Sequence, residues 1–341
     1  MLLAGIGLLT ASCTGDRGTE YKHTLFVFGT LTEITLYDVS KSKAQAAFDR
    51  LESDFHAYHA SWTPWEKSDL SDINDAIRAG KPVSVPPTVL PLISISRQLY
   101  ESSQGLFNPA IGNLINLWQM HRHEEAGFAP PAAADIARVV QQDPRMSDIT
   151  IEGATLRCRN PAVQLSLGAF AKGYAIDQAM QYLQSQGIEH AIVNTGGDLS
   201  VIGRRGQRPW RIGIRHPRQE GVVAWLDVGH GESVFTSGDY ERYFFHDGKR
   251  LHHILDPRTG YPAAGARSVT VIHDDAGVAD AAATALFVAG PDRWHEIARS
   301  MGIKHVMLID SGGRIHMNPA MQQRIHLANP ETSHILLSEP L

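Results

Sequence analysis

Residues 165–177 read LSLGAFAKGYAID. Gln164, Leu165, Ser166 and Leu167 alternate as a strand end does, Gly168 permits a sharp bend, and Ala175, Ala179 and Leu183 then recur at helical spacing. The spacing predicts a strand that turns into a helix over 172–182. Such a turn aims backbone N–H groups and the positive end of a helix at one spot, which suits a phosphate, and Lys172 adds a charge there. The alternative is an ordinary strand-to-helix connection with a solvated lysine.

Working outward, strands in runs joined by hairpins dominate, with helices between them. HTLFVFGTLTEITLYDV (23–39) predicts two strands broken near Gly29 and Thr30. Residues 44–58 place Ala44, Ala47, Phe48, Leu51, Phe55 and Tyr58 on one helical face. A polar loop with Trp62 and Trp65 leads to a helix start at Ser68, and a further helix covers 90–102. Downstream, a Gly-Gly-Asp turn, a hairpin at Asp247-Gly248, an alanine-rich helix over 277–288 and another over 291–301 are expected. This order favours an α+β fold of mixed, mostly antiparallel sheets with packed helices.

The 341 residues carry 43% hydrophobic side chains, enough for a sizeable core, and a net charge of −5 from 31 basic and 36 acidic residues. No basic run marks a nucleic-acid surface. The start, MLLAGIGLLTA followed by Ser12 and Cys13, is too short to span a bilayer and resembles a bacterial lipoprotein signal. The expected organisation is a signal and tether over 1–22, one catalytic domain over 23–325 and a C-terminal tail over 326–341. Lipidation of Cys13 would anchor a periplasmic protein to a membrane, and Cys158 would then be the lone thiol.

Asp280 and Thr284 lie four apart in ADAAATALF and so share a helical face. A carboxylate with a hydroxyl offers hard oxygen ligands for Mg²⁺, while a helix cap and a back-bonded threonine are the alternative. His252 and His253 are adjacent in a strand, so only one of them faces any given site. A histidine beside a phosphate is a reasonable proton acceptor.

Taken together, LFVFGT, SDLSDIN, GLFNPAIGNLINLW, LSLGAFAKGYAID, VNTGGDLSVIG, SGDYERY, HHILDPRTGYP and SVTVIHDDAGVADAAATALFVAG occur in this order and resemble the FAD:protein FMN transferase (ApbE) family, formerly called thiamine-biosynthesis lipoproteins. The resemblance spans about 25–316 and implies a T-fold-related architecture. It also implies an enzyme that cleaves FAD and passes FMN to a Ser or Thr hydroxyl of an exported acceptor, an electron-transfer subunit, with release of AMP. It places FAD contacts at Phe28, Trp65 (or Trp62), Leu106, Phe107, Asn108, Ser166, Lys172 and Leu255. Mg²⁺ falls to the Ala169 carbonyl, Asp280 and Thr284, and the general base to His253.

The chain departs from the family at four places. Phe28 replaces a common methionine, Ser166 a common aspartate, and Ala283 a second carboxylate of some members. Two tryptophans stand in a loop where a single tyrosine is usual. Ala283 leaves Asp280 as the main anionic ligand, so weaker or more substrate-dependent Mg²⁺ binding is expected. A Mg²⁺-dependent FAD pyrophosphatase and a non-catalytic FAD-binding lipoprotein are the competing functions.

Overall fold

The computed structural model describes residues 18–120 and 129–341. Cys13 and residues 121–128 lie outside the described residues. Strands Glu20–Val27 and Thr30–Tyr37 form the first hairpin, with Val27 facing Thr30 across a two-residue turn. Phe28 and Gly29 make that turn at φ 54° and 74°. Two successive positive φ values match the right-handed twist of the flanking strands, so the expected break is a tight hairpin tip.

Among the described residues, nine strands form one sheet. Its order is Glu20–Val27, Thr30–Tyr37, Ala191–Thr195, Asp198–Ile202, Ser233–Gly238, Ala266–His273, His305–Asp310, Ile315–Met317 and Ile335–Leu337. Every pairing is antiparallel except the last. The fold is therefore α+β with mostly antiparallel sheets, as the order of elements predicted. The last strand lies in the stretch expected as a tail, and Ile325–Leu327 just before it pairs with Val222–Val228.

Both faces of the large sheet are covered. Helices Ala171–Ser185 and Ala276–Ser300 pack on one side, and the three-stranded sheet containing Trp210–Arg215 and Val222–Val228 packs on the other. Strand Asp198–Ile202 is accordingly buried along its whole length, as strands between two layers are. Ala276–Ser300 contains both downstream helices that the spacing predicts, joined at a kink where Gly290 takes φ 67° before Pro291.

The central stretch differs from its reading in one respect. Gln164 makes only an isolated bridge to Ile111, and residues 165–167 form no strand. The Leu165 N–H donates to Asn74 Oδ1 at 2.7 Å, the Leu165 carbonyl accepts from Asn74 Nδ2 at 3.0 Å, and the Ser166 N–H donates to the Pro109 carbonyl at 2.9 Å. The backbone is extended and satisfied, but by a side-chain amide and a loop. The helix then begins at Ala171, close to its expected start.

The two helices close each other's ends. The Gly173 N–H donates to Asp280 Oδ2 at 3.1 Å, and Asp177 accepts from the Ala276 and Gly277 N–H groups at 3.0 and 2.9 Å. Each carboxylate satisfies N–H groups that a helix start leaves without partners. The approach is close: a Cβ on Gly173 would lie 2.2 Å from the Ala276 carbonyl oxygen, and one on Gly277 2.7 Å from the Phe170 ring. Gly173→Ala should therefore force the helices apart and destabilise the protein by about 1–3 kcal/mol, as overpacking does. A lower urea midpoint checks this, and an unchanged midpoint would show that the crossing is softer than its contacts imply.

Candidate active site

Where those helices cross, Lys172 Nζ pairs with Asp198 Oδ2 and lies 3.9 Å from Asp280 Oδ1. Asp198 is fixed in turn, its Oδ1 accepting from the Thr236 N–H at 2.9 Å. One turn beyond Asp280, the Thr284 hydroxyl lies 3.3 Å from the Ser237 hydroxyl. Helix start, helix face and two strands thus meet at one point.

The electrostatics follow from burial. Burial lowers the proton affinity of Lys172, yet the Asp198 and Asp280 carboxylates outweigh it and hold the ammonium above its ordinary value. Burial pushes Asp280 up to about 6, with Asp198 adding to the rise, while Lys172 and the Gly173 N–H pull the other way. Lys172 is consequently not the solvated lysine of the simplest reading. Its charge is already neutralised by carboxylates.

The adjacent histidines divide, but not within one strand as expected: strand Lys249–His252 ends at the first of them, because the chain turns at His253. His252 is buried, donates from Nε2 to the Ala263 carbonyl at 3.0 Å and accepts the Ile254 N–H at Nδ1, which makes it a brace. His253 Nδ1 is buried with no hydrogen-bond partner. Burial, followed by the positive charge of Arg242, drives its pKa down to about 3, with His252 and Lys172 adding to the fall. The ring is therefore neutral at physiological pH. The backbone N–H of His253 donates to the Arg242 carbonyl at 3.1 Å.

Phe28, held at the hairpin tip, lies parallel to Trp62 at 6.3 Å and edge-on to Phe55 and His59. Trp62 also stacks on Tyr58 at 4.4 Å and meets Tyr174 edge-on. The expected two-tryptophan loop is a correction here. Helix Lys41–Trp62 runs on through Trp62, which is 4% exposed, and leaves only Trp65 in the loop, 51% exposed. Trp62, the second choice from the sequence, is the one joined to Phe28.

The remaining expected contacts serve packing as well. Leu106 and Phe107 are buried in the main core, and Leu255 lies in a smaller cluster with Leu114, Trp118 and Phe244. Asn108 ties its loop to the one at Pro144, donating to the Pro144 carbonyl and accepting the Ala110 N–H, both at 3.0 Å. Ser166 is half-buried beside the start of the central helix.

Asp198, Ser237 and Arg242 were not assigned roles from the sequence. Asp198 and Ser237 stand within the motifs VNTGGDLSVIG and SGDYERY, but only the fold aims them at Lys172 and Thr284. For a metal, the oxygen donors fit a hard cation: among the described residues the Ala169 carbonyl accepts no hydrogen bond, Asp280 Oδ1 has only the distant ammonium, and Thr284 meets only Ser237. No cluster of three or more His, Cys, Asp or Glu side chains exists among the described residues, so any such site depends on carbonyl and hydroxyl oxygens.

The ApbE family model matches residues 28–333. A FAD:protein FMN transferase of Rhodobacter capsulatus is 40% identical over 95% of this chain, and the chain spans 61% of that protein's length. One from Klebsiella pneumoniae is 39% identical over 67% of this chain and 70% of its own. The ApbE protein of Thermotoga maritima superposes with a TM-score of 0.81 at 32% identity, over 90% of this chain and 99% of that one. The flavin transferase ApbE of Vibrio cholerae gives 0.78 at 28% identity, with the same coverage.

Removing the central cation tests the electrostatic account. Lys172→Met would leave Asp198 and Asp280 buried together with no counter-charge and should lower stability by about 3–5 kcal/mol. Adding Asp198→Asn should recover much of that loss. Urea unfolding of both variants measures the coupling, and strictly additive effects would contradict it.

Proposed function

The chain belongs to the ApbE family, and from the arrangement at the helix crossing we propose that it is an FAD:protein FMN transferase that uses Mg²⁺ and a Ser or Thr acceptor. The attacking hydroxyl oxygen bonds to the phosphorus of the FMN half. The bridging P–O bond breaks, and its electron pair leaves with AMP. The reaction is a matter of aligning nucleophile and leaving group while neutralising phosphate charge. Held by Asp280, Thr284 and the Ala169 carbonyl, Mg²⁺ would supply that neutralisation.

One observation carries the reading. A buried, unpartnered nitrogen on a neutral histidine lies within electrostatic reach of Lys172, which itself sits 3.9 Å from Asp280, a carboxylate suited to a hard cation. His253 takes the hydroxyl proton. Its basicity is low in the free protein because burial and nearby cations oppose protonation. An anionic substrate offsets that positive field and raises the basicity when it is needed. The parallel rings of Phe28 and Trp62 form an apolar wall beside the hairpin tip for the flavin nucleotide. Lys172 sets the crossing geometry and Asn108 the shape of its loop, while Ser166 replaces a carboxylate with a neutral hydroxyl. Cys13, read as a lipidation site, would place the enzyme on the periplasmic side of a membrane, where its acceptor is an exported electron-transfer subunit.

Incubation with FAD, Mg²⁺ and a flavin-acceptor domain, followed by in-gel fluorescence and AMP assay, is the test. A fluorescent acceptor band with equivalent AMP is expected. AMP without a band would replace transfer by hydrolysis, and neither product would overturn both. Asp280→Ala should abolish transfer while FAD still binds. His253→Gln should slow it by about two to four powers of ten.

The pH dependence has a defined sign. Asp280 must be ionised to hold a cation, and its pKa is pushed up to about 6. Transfer at limiting Mg²⁺ should fall as pH drops through about 6, and raising Mg²⁺ should move that limb to lower pH. A limb insensitive to Mg²⁺ would remove Asp280 as its source.

A further inference from the structure

The charge on Lys172 is balanced by Asp198 and Asp280, so it adds little net attraction for an anion. Arg242 differs. Among the described residues its guanidinium has no carboxylate or hydrogen-bond partner, and the neighbouring Glu241 is turned toward Arg215 at 3.9 Å. The Arg242 side chain lies over the hairpin tip: a Cβ on Gly29 would be 3.2 Å from a guanidinium nitrogen, next to the Phe28 ring that meets Trp62. Its backbone is tied to His253 by the 3.1 Å bond already described.

We infer that Arg242 is the residue that holds the diphosphate of the dinucleotide, reaching it across the side-chain-free surface of Gly29 between the aromatic wall and His253. This rests on the reading of the protein as an enzyme of FAD. The chemistry suits the task. A guanidinium offers planar, paired donors that match phosphate oxygens, and it keeps its charge at any physiological pH. Its position explains two further features. The positive φ of Gly29 and the guanidinium above it both disfavour a side chain there. The charge of Arg242 is also felt at both His253 and Lys172, which places it within electrostatic reach of the two. An exposed arginine with no internal partner is available to a ligand at no cost in broken ion pairs.

Binding without metal separates this inference from the reaction. Wild type, Arg242→Gln and Arg242→Lys are titrated with FAD, ADP and riboflavin in EDTA, with urea midpoints as a check on folding. Arg242→Gln should weaken FAD and ADP by about tenfold to a hundredfold, the range for a lost charge-assisted hydrogen bond, and leave riboflavin within twofold. Arg242→Lys should recover part of the loss, because charge returns without the planar fork. Unchanged FAD affinity in Arg242→Gln would overturn the inference. An equal loss for riboflavin would also overturn it, since Arg242 would then be contacting the flavin ring. If wild type binds FAD with this discrimination yet labels no acceptor, the transferase reading fails and the role of Arg242 stands.

Discussion

The structure turns on the contact between helices Ala171–Ser185 and Ala276–Ser300, where backbone meets backbone and each helix caps the other. Gly173 and Gly277 remove the side chains that would hold the helices apart, and the buried alanines of the second helix extend the close fit. Asp177 and Asp280 then place carboxylates on helix N–H groups that would otherwise be buried without partners. Asp280 uses one oxygen for this structural bond and turns the other toward the site. Its position is therefore set by the crossing itself, with little side-chain freedom left to lose when a ligand arrives.

Burial that fixes Asp280 also makes it hard to ionise, and the lysine is the answer to that problem. Two buried carboxylates without a cation would resist folding, so Lys172 serves both of them. The consequence is a division of labour between two cations that look equivalent in sequence. One is internal and neutralised, whereas the other, Arg242, stands at the rim with its donors open. In the proposed reading, metal binding and anion binding would fall to different residues, Asp280 and Arg242.

Much of this was legible before the coordinates. Helical periodicity located both crossing helices, and Ser68 and Asp247-Gly248 marked a helix start and a hairpin, which the structure forms with a reciprocal Ser68–Ser71 cap and two positive φ values. What escaped has physical reasons. The alternation at 164–167 is real, but its hydrogen-bond partners are an asparagine side chain and a proline-bearing loop, which no local pattern reveals. Trp62 looked like a loop residue because Thr63 and Pro64 follow it, yet packing against Tyr58 and Phe28 holds it as the last residue of its helix. Asp198, Ser237 and Arg242 were visible as letters in motifs; their partners lie on other strands and helices, and spacing along the chain carries no information about that.

The paired histidines differ in what their rings bond. His252 uses both ring nitrogens on backbone groups, the Ala263 carbonyl and the Ile254 N–H, which braces the end of its strand. His253 follows directly on the strand's last residue, with its backbone N–H bonded to the Arg242 carbonyl and its Nδ1 buried and unsatisfied. Leaving such a nitrogen without a partner costs roughly 1–3 kcal/mol. A purely structural histidine at that position would be expected to find a bond, as its neighbour does, or to be replaced by an apolar residue at no loss. The deficit is retained where the charges of Arg242, whose side chain lies over the hairpin tip, and Lys172, on the central helix, are both felt. That setting is the reason His253 is the base in the proposed reading, while His252 serves as a brace.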